Sequence, residues 1–273
     1  MNHRKLFLLS ALFLLSLGQL IGQMIILSGP EKGSYNEFVD DIVTLLGEKS
    51  DVILENKTSD GSAFNFKMLI DHNTNYKVAL IQSDFLALMD AEDKLNNTDK
   101  TGSLKVVMQL AKEQIHFVTK KSSDIKSLQD LDMKRVGIGT IDQGGFVTGK
   151  IIRERSQISW STVYVGFDEM LSRLSTESIN AGLVVGSAPL DMLNIDPQVM
   201  VDGMSILELD DFNGWAEHYE NDTIYSGDYK WLDKNIPTFG VRTLLVVNES
   251  KLTDEEKQSV SVIKSTSFKI LIS

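Results

Sequence analysis

Residues 24–47 read MIILSGPEKGSYNEFVDDIVTLLG, a strand, a turn and a helix in immediate succession. Met24-Ile25-Ile26-Leu27 is a short apolar run of strand type. Ser28-Gly29-Pro30-Glu31-Lys32-Gly33 is turn chemistry. Tyr35, Phe38, Val39, Ile42, Leu45 and Leu46 then recur at helical spacing. Ser34 with Glu37 predicts a capping box at the start of that helix, and Gly47 predicts its end. The same unit repeats along the chain. Strands at Val52–Leu54, Val78–Ile81, Arg135–Ile138, Thr162–Val165 and Ala181–Val185 each precede a helix. Those helices are expected near Ala63–Ile70, from Ser83 as N-cap through Met89, from Gly145 to about Arg155, at Asp168–Leu174, and from about Pro189. Strands Leu104–Leu110, Ile115–Thr119 and Val241–Val247 complete the set, and polar residues 92–103 predict a surface loop. A last helix opens on a Thr253…Glu256 capping box.

Strand–helix alternation of this kind implies an α/β protein whose mainly parallel sheets are covered by helices on both faces. The rhythm is interrupted once. Strand Ile115–Lys121 runs into polar Ser122-Ser123-Asp124, and the alternation restarts at Arg135. This predicts two lobes with a hinge between them, residues 23–117 plus 242–273 forming one and residues 118–241 the other.

The first residues set the compartment. Arg4 and Lys5 precede an apolar run from Leu6 to Leu17, and Leu20-Ile21-Gly22 ends on a small residue. Residues 1–22 therefore read as a secretory signal peptide, too short and wrongly flanked for a transmembrane helix. The prediction is export across the inner membrane to the periplasm. The sequence has no cysteine, which removes disulfides, thiolate metal sites and a lipoprotein anchor. Its formal net charge is −11, and loss of Arg4 and Lys5 makes the mature chain more acidic still. That argues against nucleic acid or an anionic membrane as partner.

In open α/β sheets ligands bind beyond the carboxyl ends of strands, where helix N-termini converge. Free backbone N–H groups and the positive end of the helix dipole make such termini anion sites. Four strand-to-helix turns have that character: Ser28–Tyr35, Gln82-Ser83-Asp84, Gly139–Phe146, and Gly186-Ser187-Ala188-Pro189. Enzyme signatures fail by comparison. Gly137 and Gly139 begin a dinucleotide-type pattern, but Asp142 stands at its third glycine. Gly144–Lys150 has the spacing of a phosphate loop, but Ile151 replaces the Ser or Thr that holds Mg²⁺. His72, His116 and His218 show no metal-ligand spacing. Neither a cofactor nor a metal is expected, and the chain reads as a binder rather than an enzyme. Trp215, Tyr219, Tyr225, Tyr229 and Trp231 crowd one segment. They form either an aromatic wall closing on a ligand or a cluster that pins an irregular loop to the core.

Five stretches, in order, carry a family resemblance: ILSGPEKGSY (26–35), VALIQSD (78–84), EQIHFVTK (113–120), IKSLQDLDMKRVGIG (125–139) and INAGLVVGSAP (179–189). Together they resemble the TAXI family, solute receptors of one class of TRAP transporters with the type II periplasmic-binding-protein fold. Tyr225-Ser226-Gly227 with the strand at 239–247 is a weaker match. The resemblance implies a monomer that closes on a small carboxylate or amino acid and delivers it to TRAP-type permease subunits. It places Gly33, Tyr35, Gln82, Ser83 and Asp84 on one wall of the cleft. Gly139, Thr140, Gly144, Gly145, Gly186, Ser187 and Pro189 stand on the other, and Leu128 and Leu131 belong to a short helix opening the second lobe. Two departures stand out. Gln143-Gly144-Gly145-Phe146 replaces the family's Gly-Ser-Gly-Thr-like turn, and the family pattern continues beyond the position of Ser273, so a shortened C-terminus is expected. A sensor subunit for a signalling protein and an exported hydrolase in the same fold are the alternative functions.

Overall fold

The computed structural model describes residues 23–31, 33–194 and 203–268. The predicted signal peptide, Lys32 and residues 195–202 of the helix expected after Pro189 lie outside the described residues.

Among the described residues, ten strands form one mixed sheet. Its path runs β2 (Leu54–Lys57), β1 (Met24–Leu27), β3 (Val78–Gln82), β10 (Ile236–Asn248), β4 (Leu104–Lys120), β7 (Ala181–Gly186), β5 (Arg135–Gly137) and β6 (Ser161–Val163). Two further strands lie off that path, β8 (Met204–Ile206) on β4 and β9 (Glu220–Ile224) on β10. The outer pairs are parallel, as the alternation implies. The long strands β4 and β10 run antiparallel to each other and to their neighbours. Each serves both ends of the sheet. β10 pairs with β3 through Thr243–Val247 and with β9 through Ile236–Gly240. β4 pairs with β10 from Leu104 to Gln114 and with β7 from Gln114 to Thr119. Where two strands were expected, there is one of 17 residues. Lys112-Glu113-Gln114 broke the apolar pattern, but all three pair with β10, and Gln114 pairs with β7 as well.

Among the described residues six α-helices cover the sheet: α1 (Ser34–Lys49), α2 (Ser62–Ile70), α3 (Ser83–Asn96), α4 (Gly144–Ser156), α5 (Phe167–Ser175) and α6 (Asp254–Phe268). Strand side chains alternate between faces, so each end of the sheet has two cores. At the β1–β3 end, Val78, Leu80, Leu245 and Val247 pack with Val39 of α1 and Ile263 of α6. The residues between them, Ala79, Ile81, Leu244 and Val246, pack with Leu69 of α2 and Phe85 of α3. At the β5–β7 end, Ile115, Phe117, Leu183 and Val185 meet Ile152 of α4, Leu128, Leu131 and Trp215. Val118 and Val184 meet Met170 and Leu174 of α5 on the opposite face. Both long strands contribute to cores at both ends, which ties the two ends mechanically.

The helix boundaries differ from expectation in four places. Gly33 is the N-cap of α1 and no side chain caps it, because Ser34 Oγ donates to Glu113 instead. That helix continues past Gly47, which meets nothing within 4 Å on its Cβ side. Helix α3 extends through Asn96 into the predicted loop. There, buried Asp93 accepts from Thr101 N at 2.7 Å and Thr101 Oγ1 at 2.9 Å, and Asn97 turns left-handed at φ 52° to end it. After Pro189 the described residues form a turn rather than a helix. The Thr253–Glu256 box forms as expected, with Glu256 N donating to Thr253 Oγ1 and Thr253 N to Glu256 Oε2.

Candidate functional site

Helices α1, α2, α4 and α5 direct their N-termini at one cavity of about 1000 Å³ beside the crossing of β4 and β10. Ligand pockets typically span about 300–1000 Å³. Gly33, Tyr35 and Gln82 line it from the β1–β3 end of the sheet, and Gly144 and Gly145 from the other. These five of the expected residues are brought together. Neither α1 nor α4 carries a side-chain N-cap bond, so backbone N–H groups at both termini remain available to an acceptor.

The other seven expected residues stand outside the lining. Ser83 Oγ accepts from Arg242 N at 3.1 Å. Gly139 adopts φ +85°, and Thr140 N donates to Gln143 Oε1 at 3.0 Å, so both shape the turn that presents Gly144. Gly186 lies under Leu190, which would stand 2.6 Å from an added Cβ. Ser187 Oγ donates to Lys112 O at 3.4 Å, and Pro189 is exposed. Asp84 faces across the cavity's edge, accepting from Thr148 Oγ1 at 2.7 Å and from Tyr219 OH at 2.9 Å. With Phe64 N donating to Asp142 O at 3.2 Å, these bonds join the two sides.

Sequence reasoning missed Glu113. It sits on β4 at the crossing, 1% exposed, and lines the cavity. Ser34 Oγ donates to its Oε1 at 2.6 Å and Thr243 Oγ1 to its Oε2 at 2.8 Å. The Gln82 side chain donates to it as well. Burial pushes its carboxyl up to about 7 despite those bonds. Tyr35 OH meets Ser62 Oγ at 3.0 Å, and Ser62 Oγ accepts from Gln82 N at 3.0 Å. Burial and the neighbouring Glu113 charge raise the Tyr35 phenol well above its ordinary value. A signal was present in the sequence: the polar triplet 112–114 interrupts an apolar strand, and its middle residue lines the cavity.

None of the five aromatics lines the cavity; Trp215, Tyr219, Tyr229 and Trp231 pack on the core and pin the loop, whereas Tyr225 is exposed. Trp215 is fully buried and donates Nε1–H to Asp210 O at 2.8 Å, and Trp231 Nε1 donates to Leu193 O at 2.7 Å. Tyr229 OH accepts from Leu190 N at 3.0 Å and lies 3.0 Å from His116 Nε2. The phosphate-loop spacing has a packing origin too. Gly149 lets α4 approach the sheet, where an added Cβ would stand 2.9 Å from the Ile138 side chain.

A model of the NMT1-like family matches residues 26–258. Among solved structures, the substrate-binding protein of an amino acid ABC transporter aligns with a TM-score of 0.52 and 13% identity, over 91% of this chain and 93% of that one. An ancestral arginine-binding protein bound to arginine gives 0.55 and 12%, over 91% and 92%. A TctC solute-binding protein from Polaromonas gives 0.51 and 13%, over 92% and 84%. No curated protein matches the sequence. At these identities the likeness is one of fold, the two-lobed α/β fold of periplasmic binding proteins with a curled sheet and covering helices.

Proposed function

We propose, since the chain belongs to the NMT1-like family, that it is a non-enzymatic extracytoplasmic receptor that closes on a small solute in this cavity and hands it to a membrane partner. The observation that carries the reading is the cavity itself, set where the two long strands cross and rimmed by uncapped helix N-termini. The finer assignment is a TAXI-type receptor serving TRAP permease subunits, monomeric, exported by residues 1–22. Residues 23–117 plus 242–273 act as one lobe and 118–241 as the other. Continuity of β4 and β10 through both ends of the sheet supports a hinge at their crossing, near residues 112–114 and 240–243. Hinge closure around a ligand is an established switching mode. Any carboxylate on the solute is received by the N–H groups of Gly144 and Gly145, which open α4 without a side-chain cap.

The test is a thermal-shift screen of the mature chain with small carboxylates, amino acids, amines and sugars. A ligand that binds only the folded state raises the melting temperature in proportion to its saturation. A hit that also makes the particle more compact in solution scattering supports capture by closure. A broad screen without any stabilising solute overturns the reading.

A further inference from the structure

Six carboxylates line the cavity, those of Glu31, Asp60, Glu113, Asp168, Glu169 and Asp191, and among the described residues no Lys, Arg or His does. Five of the six stand on the exposed rim, where Glu169 is paired with Arg173 at 2.9 Å. A cleft of one sign gathers counter-ions, yet rim carboxylates are ordinary in so acidic a chain. Glu113 is not ordinary. A carboxylate 1% exposed in mid-strand is costly unless a cation answers it, and among the described residues no Lys, Arg or His lines the cavity beside it. Three donors fix its orientation: Ser34 from α1, Thr243 from β10 and Gln82 from β3.

A second group points the same way. The Gln82 amide donates through its nitrogen to Glu113, which turns Oε1 away from the carboxylate. Gln82 is 3% exposed and Oε1 has no donor. It faces Gly144, whose added Cβ would lie within 1.9 Å of it. The deep end of the cavity thus offers two side-chain acceptors, and among the described residues no cationic side chain lines it to answer them. No three of the described His, Asp or Glu side chains converge as metal ligands, so an organic cation suits the site better than a metal ion.

We infer that the captured solute carries a cationic nitrogen (an ammonium, amidinium or guanidinium group) that is held by Glu113 with Gln82 Oε1 as its second acceptor. This rests on the receptor reading and names its solute class. Charge-assisted hydrogen bonds from such a group satisfy both acceptors. The same bond would draw the Glu113 carboxyl down from about 7, against the opposing field of Asp84.

The experiment sets two panels against the wild type and Glu113→Gln in thermal shift and calorimetry. One panel holds putrescine, agmatine, L-lysine and L-arginine; the other holds succinate, glutarate, N-acetylglycine and glucose. The expected result is stabilisation by members of the first panel only, with affinity falling at least about 30-fold in E113Q, as for a buried charge that loses its partner. A second readout does not depend on the variant folding. A guanidinium stays charged at all working pH values, so agmatine bound at pH 6 should displace a proton from Glu113, and at pH 8.5 should not. Buffers of different ionisation enthalpy report that proton. Stabilisation by the second panel alone overturns the cation assignment and leaves the receptor standing. Cation binding that is equally strong in E113Q and proton-neutral at pH 6 overturns it as well. Silence from both panels, extended to the broader screen, overturns the receptor reading from which it proceeds.

Discussion

Asp84, in the first turn of α3, accepts a hydrogen bond at 2.7 Å from Thr148 on α4, and so ties one side of the cavity to the other. Tyr219 OH donates to the same Oδ2 at 2.9 Å. Burial raises the Asp84 carboxyl above its ordinary value even though both hydroxyls and Phe85 N favour the charge. Asp84→Ala leaves two hydroxyls facing an empty acceptor position. Hydrogen bonds to charged groups contribute about 1.5–3 kcal/mol each, and water replaces part of that. The expected loss is about 2 kcal/mol in urea unfolding, with a more extended ligand-free particle in solution scattering. An unchanged midpoint and scattering curve would remove Asp84 as the latch.

Two buried groups make opposite contributions to the pH dependence of stability. Glu113 stands at about 7 against an ordinary 4.5, so the folded chain holds its proton the more tightly. That stabilisation is complete below about pH 4.5 and is lost as pH rises through 7. Asp84 and the Tyr35 phenol face it, and Ser34, Gln82 and Thr243 donate to it. Burial lowers His116 to about 4 from 6.5, against its bonds to the Gln114 and Val184 carbonyls and the Asp222 charge. Its stabilisation is complete above pH 6.5 and is lost as pH falls through 4. The slopes oppose each other in the shared window, so the wild type should be nearly flat there. Glu113→Gln isolates the histidine slope. Relative to wild type, the variant should gain roughly 3 kcal/mol in unfolding free energy between pH 4 and pH 8. Urea titrations at pH 4, 6 and 8 measure it, and a constant difference would contradict the burial of Glu113.

Tyr229→Phe removes one oxygen that serves two buried partners. The hydroxyl accepts from Leu190 N at 3.0 Å and meets His116 Nε2 at 3.0 Å. His116 Nδ1 lies 2.9 Å from Gln114 O, so Nδ1 carries the ring proton and Nε2 accepts from the tyrosine. Without the hydroxyl both Leu190 N and Nε2 lack partners, at about 1–3 kcal/mol for a buried unsatisfied group. The melting temperature should fall by several degrees. No change would mean that water replaces the hydroxyl.

What the sequence revealed follows from how local each signal is. The α/β class was legible because Met24–Leu27 and the helix after it carry their periods within two dozen residues. Glu113 was hidden because its meaning lies in partners far along the chain: Ser34 is 79 residues away and Thr243 is 130. No spacing rule joins them. Three of the five expected residues that line the cavity, Gly33, Gly144 and Gly145, stand at helix starts, where glycine is a local signal. Gly139 and Thr140 carry the same composition but shape the turn behind the wall. Composition cannot separate a residue that faces a cavity from one that supports it.

Gly144 and Gly145 are adjacent, both line the cavity, and should respond differently to one added methyl. A Cβ at Gly144 would lie 1.9 Å from Gln82 Oε1 and 2.4 Å from Gln82 Cδ. That amide has little room to retreat, since Gln82 is 3% exposed and its nitrogen is bound to Glu113. A Cβ at Gly145 would meet only Ile138 O, at an ordinary 3.7 Å. The Gly144 clash exists only while the two sides of the cavity are together, because Gln82 ends β3 and Gly144 begins α4. Gly144→Ala should therefore oppose closure more than folding. Affinity for whichever solute the screen identifies should drop at least tenfold, and Gly144→Val should abolish binding, with the ligand-free melting temperature within a few degrees of wild type. Gly145→Ala should keep affinity within about threefold, since van der Waals contact at that distance costs little. Equal losses in the two alanine variants would mean that the cavity rejects any added volume and that Gln82 has no special part in closure.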